Sequence, residues 1–409
     1  VIASFEPFES LLGSMSADTN SSQDTSASQL PTPTNSSYEA SSSFFHSFES
    51  GVPLIEQVSE SAGRPASAEF PHSYKIPGTE IWWKIGGFIK ADVIHDFNPI
   101  TSGGQFFPPD ILTNGTHGQD TILQASATRL NLDFRAPTDW GVGRAFIETD
   151  FFTSDDELRL RHAYVENGSL LVGQTWTLWT DPEARPKTLD FESPVSFTLL
   201  RHAQVRWTQR VSDTFDWAVS IEDPVTNVDD TVSNTLPGQA EQPWPDVVGR
   251  IKYHDKKYEG VAAILLRDLV YVPDNEPPQN RLGWGVNLIG IDHLTDRDVL
   301  EGQFVFGSGL GSYRGGADLT LSSPTRVATI PVVGAYGGYT HFWTKQLSST
   351  AVYSWGVRRE TEIDAADTIR ATNYVAVNLI WEPFERLTMG IEYLYGTRTD
   401  KDGAFGEDS

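Results

Sequence analysis

Residues 128–135 read Thr-Arg-Leu-Asn-Leu-Asp-Phe-Arg, so Leu130, Leu132 and Phe134 alternate with Arg129, Asn131, Asp133 and Arg135. A period of two predicts a strand with one apolar and one charged face. One such strand fits a soluble sheet packed on a core, or a membrane barrel with its apolar face in lipid. Recurrence favours the second. Over 80–95, Trp83, Ile85, Ile89, Ala91 and Val93 oppose Lys84, Lys90 and Asp92. Over 142–153, Ala145, Ile147, Thr149 and Phe151 oppose Arg144, Glu148 and Asp150. Over 157–166, Leu158, Leu160, His162 and Tyr164 oppose Arg159 and Arg161. Later, Val205 and Trp207 oppose Gln204, Arg206 and Thr208, and Ile251 and Tyr253 oppose Arg250 and Lys252.

Fifteen strands are predicted, near 80–95, 124–135, 142–153, 157–166, 169–177, 195–208, 213–223, 246–254, 257–268, 279–291, 298–308, 331–343, 347–360, 369–382 and 385–397. Tight turns at Pro137-Thr138-Asp139, Glu166-Asn167-Gly168, His254-Asp255-Lys256 and Glu382-Pro383-Phe384 alternate with long polar stretches at 96–123, 178–194, 224–245 and 309–330. Short turns on one rim and long loops on the other are the asymmetry of an outer-membrane barrel. Only Val261–Leu266 is apolar on both faces, whereas stacked soluble sheets need several such strands. Trp82, Trp83, Phe151, Tyr164, Trp207, Tyr253, Trp343 and Trp381 lie near strand ends, where interfacial girdles form. The fold class is all-β: a transmembrane antiparallel β-barrel over 79–409, preceded by a Ser/Pro-rich extension or linker over 1–78. Apolar clusters interrupt that extension (Phe5, Phe8, Leu11 and Leu12; Phe44, Phe45 and Phe48) and offer places for it to dock.

Composition narrows the partners. The 409 residues carry 55 acidic and 30 basic side chains, a net charge of -25, which excludes nucleic acid as a partner chosen by bulk charge. The absence of cysteine removes disulfides, thiolate metal sites and cysteine nucleophiles. No apolar run reaches 18 residues, so no transmembrane helix is available. A mean hydropathy of -0.32 is no objection to a barrel, since only half of each membrane strand meets lipid.

The stretch 157–196, ELRLRHAYVENGSLLVGQTWTLWTDPEARPKTLDFESPVS, resembles the DcaP-like family of Gram-negative outer-membrane porins. Supporting segments are IGGFIKADVIHDF at 85–97, AYGGYTHFWTKQLSS at 335–349 and MGIEYLYGTRTDKDGAFGEDS at 389–409. The resemblance implies a 16-stranded barrel in the outer membrane, assembled as a homotrimer, that takes up small anionic solutes such as dicarboxylates. It departs in two places. The extension shows no heptads where family members carry a coiled coil. The family also continues into one further strand, so the sixteenth, closing strand is expected beyond Ser409.

A diffusion porin needs no catalytic group, cofactor or metal. It needs a narrowing lined by charges that compensate a solute's lost hydration. The predicted pore lining is Lys84, Lys90, Arg129, Arg135, Arg144, Arg159, Arg161, Arg206, Arg250 and Lys252, tempered by Asp92, Asp133, Glu148 and Asp150. Arginine's planar fork suits a carboxylate; equally, these arginines could simply pair with the acids. The segment 180–193 is the predicted constriction loop, held to the wall by Leu189 and Phe191, with Asp181, Glu183, Arg185 and Lys187 facing the channel. Acids outside the strands suggest an acidic rim, bridged by divalent cations to phosphates of outer-membrane lipid and lipopolysaccharide. His162, assigned to the outer face, suits a subunit contact better than lipid. Two alternatives stay open. An outer-membrane enzyme would need a nucleophile and base, yet no HExxH or GxSxG occurs, and Gly307-Ser308-Gly309-Leu310-Gly311 lacks a strand-turn-helix context. A plugged structural or adhesive barrel would carry no current.

Overall fold

The computed structural model describes residues 3–5 and 68–409, apart from 99, 116, 117, 154 and 155. Apart from Ala3–Phe5 and residues 68–78, the extension, with Phe8, Leu11, Leu12, Phe44, Phe45 and Phe48 of its apolar clusters, lies outside the described residues. Fifteen long strands follow: β1 (Trp82–Asp96), β2 (Arg129–Thr138), β3 (Gly141–Asp150), β4 (Arg159–Asn167), β5 (Leu170–Trp176), β6 (Arg201–Arg210), β7 (Phe215–Glu222), β8 (Asp246–His254), β9 (Tyr258–Pro273), β10 (Gln279–Thr295), β11 (Asp298–Ser308), β12 (Pro331–Phe342), β13 (Leu347–Arg358), β14 (Ile369–Phe384) and β15 (Leu387–Asp400). Each pairs antiparallel with the next, as an up-and-down meander requires. The slot between β15 and β1 holds two short pieces. Ala3–Phe5 pairs with both strands, and Phe405–Asp408 turns back along β15.

The side chains are sorted inside out. Ile85, Ile89 and Val93 are more than half exposed on β1, while their neighbours Lys90 and Asp92 are 4% and 5% exposed. The same inversion runs through β3, where Ile147 is exposed and Arg144, Glu148 and Asp150 are buried. In water this arrangement would forfeit the hydrophobic term on one face and desolvate charges on the other. With lipid outside, both faces are satisfied. Trp207, Tyr253, Trp343 and Trp381 stay exposed near the short-turn rim, at girdle positions.

One expected face assignment is overturned. Glu148 pairs with His162 but Thr149 pairs with Leu160, so Arg161 is an extra residue in β4. This bulge shifts the alternation by one. Arg161, His162 and Tyr164 consequently all turn inward and are buried. Tyr164 is therefore no girdle residue: it accepts from Arg144 Nη1 at 2.9 Å. His162 is no outer contact, because its Nδ1 sits 3.0 Å from Thr175 Oγ1. Outside the bulge, Gln174 Nε2 donates to the carbonyls of Leu160 and Arg161 at 3.2 and 3.0 Å. Those carbonyls would otherwise face lipid unpaired. On the next strand, Gly173 adopts φ +130, and a Cβ there would collide with the Ala163 carbonyl.

The doubly apolar stretch 261–266 also finds its reason. Ile264 and Leu266 point outward, while Ala263 and Leu265 are fully buried against Leu178, Trp179, Val305, Leu310 and Tyr313. The inner face turns apolar where two loops land on it.

Candidate functional site

Residues 177–200, between β5 and β6, bond or pack against β1 and every strand from β7 to β15. A segment that reaches ten wall strands lies inside the wall. Leu178 N donates to Glu222 of β7 at 2.8 Å, and Asn287 of β10 donates to the Trp179 carbonyl at 2.8 Å. Tyr336 of β12 donates to Ala184 O at 2.6 Å, and Ser196 shares a 2.7 Å hydroxyl contact with Ser354 of β13. Near the tip, Leu189 N and Asp190 N both donate to Glu392 of β15, at 3.0 and 2.8 Å. Phe191 meets Phe88 of β1 edge-on at 6.0 Å.

Charged residues fasten the same segment. Asp181 caps the short turn 182–184, accepting from Glu183 N at 3.1 Å. Lys252 Nζ lies 3.1 Å from Asp181, 2.6 Å from Glu183 and 2.9 Å from Glu259. Burial would raise the Asp181 carboxyl, but Lys252 and Arg250 outweigh it and hold the group below its ordinary value. Those three carboxylates converge closely enough for a metal ion, yet the Lys252 ammonium already occupies their midst. Arg185 Nε donates to Ser193 Oγ at 2.6 Å, folding the loop on itself, and Lys187 pairs with Glu382 at 2.6 Å. Asp181, Glu183, Arg185 and Lys187 are thus fastenings; none lines the cavity that the loop borders.

That cavity measures about 300 Å³. Its wall side carries Lys90, Arg129, Arg159, Arg161 and Arg201, with Asp92 and Asp150; its loop side carries Asp190, Phe191 and Glu192, and Arg314 comes from the loop after β11. Most wall cations are partnered. Lys90 binds Asp92 at 2.5 Å, and Arg161 bridges Glu148 and Asp150 at 2.9 and 2.8 Å. Arg159 joins Asp150 at 2.7 Å. Arg201 differs: its guanidinium lies over the Trp176 ring at 4.6 Å and has no carboxylate within ion-pair distance among the described residues. On the loop, burial raises Asp190, and burial plus the Asp190 charge lifts Glu192 to about 7. Gln105 Nε2 donates to Glu192.

The remaining predicted lining lies elsewhere on the inner side. Arg135 and Arg144 share Asp133, both at 3.0 Å, and Lys84 is paired in register with Asp133 near the short-turn rim. Arg206 donates to Gln204 at 2.9 Å, and Arg250 to Thr180 O at 3.4 Å. Reasoning from alternation missed four charged cavity residues: Asp190, Glu192, Arg201 and Arg314. Arg201 opens its strand, where parity does not yet hold. Arg314 follows Leu310 and Tyr313, apolar residues in a polar loop, which was the signal used for Leu189 and Phe191.

The model of the porin subfamily matches residues 72–408. No curated protein matches the chain by sequence. Among solved structures, the outer membrane channel DcaP of Acinetobacter baumannii superposes with a TM-score of 0.74 at 21% identity, over 82% of this chain and 96% of that one. The anion-selective porin from Comamonas acidovorans gives 0.54 at 9% identity, over 80% and 96%. OmpF of Salmonella typhi gives 0.51 at 10% identity, over 82% and 98%. Such identities speak for the fold. The inverted faces, the interior loop and the family match agree: the chain belongs to the porin subfamily, a non-enzymatic channel of the bacterial outer membrane whose barrel shares the fold of DcaP.

Proposed function

We propose that this diffusion porin favours small anions, dicarboxylates among them, and that residues 177–200 form its constriction. The observation that carries the reading is Arg201. In a narrow site of reduced dielectric a cation without a counter-charge attracts anions far more strongly than a paired one. Arg201 stands in that position, while Lys90, Arg159 and Arg161 are tempered by Asp92, Asp150 and Glu148. Arg129 adds a guanidinium 5.0 Å from the Phe191 ring, so the throat has an aromatic and a cationic side. Lys84, Arg135 and Arg144 would form a second basic station towards the short-turn rim, Arg206 ties β6 to the end of β5, and Arg250 and Lys252 hold the wall to the loop. Assembly as a homotrimer and contact with outer-membrane lipid and lipopolysaccharide belong to the same proposal, and rest on resemblance to the DcaP-like family.

The test is the reversal potential of the purified protein in a planar bilayer under a potassium chloride gradient. Anion preference is expected, reduced severalfold by Arg201→Gln. Cation preference at neutral pH, or no current at all, would overturn the reading.

A further inference from the structure

The loop between β11 and β12 enters the interior beside the first one and brings a cation that no carboxylate among the described residues neutralises. Leu310 and Tyr313 are fully buried at its base. Tyr313 stacks on His202 with ring centroids 4.5 Å apart, and its hydroxyl donates to Asp246 at 3.1 Å. Arg267 donates to that same Asp246 at 2.9 Å and to Asp318 at 2.6 Å, and Asp318 also accepts from Ser312 N at 3.0 Å. Gly311 is required there, since a Cβ would run into the Ala317 carbonyl. The backbone at 311–318 is thus fixed from both sides, and the residue it delivers to the cavity is Arg314.

The wall leaves room for this side chain. A Cβ on Gly356 would sit 2.9 Å from Arg314 Nη2, and one on Gly334 3.5 Å away. The only acceptor for the guanidinium among the described residues is the Val195 carbonyl, 3.3 Å from Nη2; Nε has none. Burial alone lowers the guanidinium to about 10, with no carboxylate opposing it, so it remains charged at neutral pH. A desolvated cation without a counter-ion is unfavourable until an anion arrives, and a two-point guanidinium–oxyanion bond is among the stronger polar contacts.

We propose that Arg314 is a specificity-determining residue that holds one oxyanion group, carboxylate or phosphate, of a solute in the throat. This rests on the anion-favouring reading above and adds to it a binding step on the second loop. Permeation then includes a pause at Arg314, and the loop after β11 sets selectivity together with residues 177–200.

The experiment measures block of chloride current by inorganic phosphate in the full-length protein, with Arg326→Gln as control. Arg326 lies exposed on the same loop, so the control removes an equal charge away from the cavity. Arg314→Gln is expected to raise the phosphate concentration for half-block roughly tenfold, the loss of a charge-assisted bond. Arg326→Gln is expected to match wild type. Equal effects of the two variants, or none from Arg314→Gln, would overturn the inference. Should Arg314→Gln fail to assemble, Arg314→Lys carries the test, because it keeps charge and loses the fork; half-block unchanged from wild type would then be the overturning result. Failure of the broader reading shows earlier, as cation preference in the unmodified protein.

Discussion

The cavity's charge balance turns on single side chains, and Glu192 is one that titrates in the physiological range. Its carboxyl is lifted to about 7 by burial first and then by Asp190, against the opposing pull of Arg185 and Arg159. The sign follows directly. Above pH 7 the group is negative and offsets part of the arginine field; below it the group is neutral and the offset disappears. Anion over cation permeability is therefore expected to rise as pH falls from about 8 to 6. Glu192→Gln should flatten this dependence, fixing the reversal potential near its acidic limit. A wild-type reversal potential that stays constant over this interval would remove Glu192 from the throat. None of this was legible in the alternation that picked out Arg129 and Arg161. Asp190 and Glu192 sit in a loop, where no period tells inside from outside, and their neighbours decide their charge.

Strands were more legible than side chains, because period-two alternation is an element-scale signal. β1, β3, β6 and β8 put the expected residues on the expected faces, and the loop was recognisable from apolar residues a solvated loop would not need. The bulge in β4 was not legible. A single inserted residue leaves composition unchanged and reveals itself only in the pairing with β3, which sequence does not display. The neighbouring strand shows what such geometry demands of its residues. Gly173 has φ +130, and besides the Ala163 carbonyl its Cβ would lie 2.6 Å from Tyr164 Cα. Gly173→Ala should therefore destabilise the barrel by about 1–3 kcal/mol, the range for a strained backbone position. Gly260→Ala, with open space around the new methyl, should change stability by less than about 0.5 kcal/mol. Urea unfolding of the two variants in the same lipid gives the comparison, and equal midpoints would mean that β4 and β5 do not pack as described.

For the whole molecule, what decides function is which side of the sheet meets lipid. A net charge of -25 and negative mean hydropathy do not distinguish a barrel from a soluble sheet, whereas the inversion of exposure, as between Ile147 and its neighbours Glu148 and Asp150, points to a membrane. That inversion has a measurable cost structure. On a soluble sheet, an exposed Ile147→Arg would be nearly neutral, since exchanging one solvated side chain for another loses little. On a barrel in a bilayer the same change places a guanidinium against acyl chains, at about 2–4 kcal/mol near the midplane and about 0–1 kcal/mol towards the interface. Thr138, exposed at the end of β2 beside the short turn, is an interfacial counterpart. Ile147→Arg should therefore lower unfolding stability in lipid vesicles by several times more than Thr138→Arg. In lipid-free denaturant, where the acyl environment is gone, the difference should collapse. Equal, small losses for both in vesicles would place the apolar face in contact with protein or water, and the channel reading would fall with it.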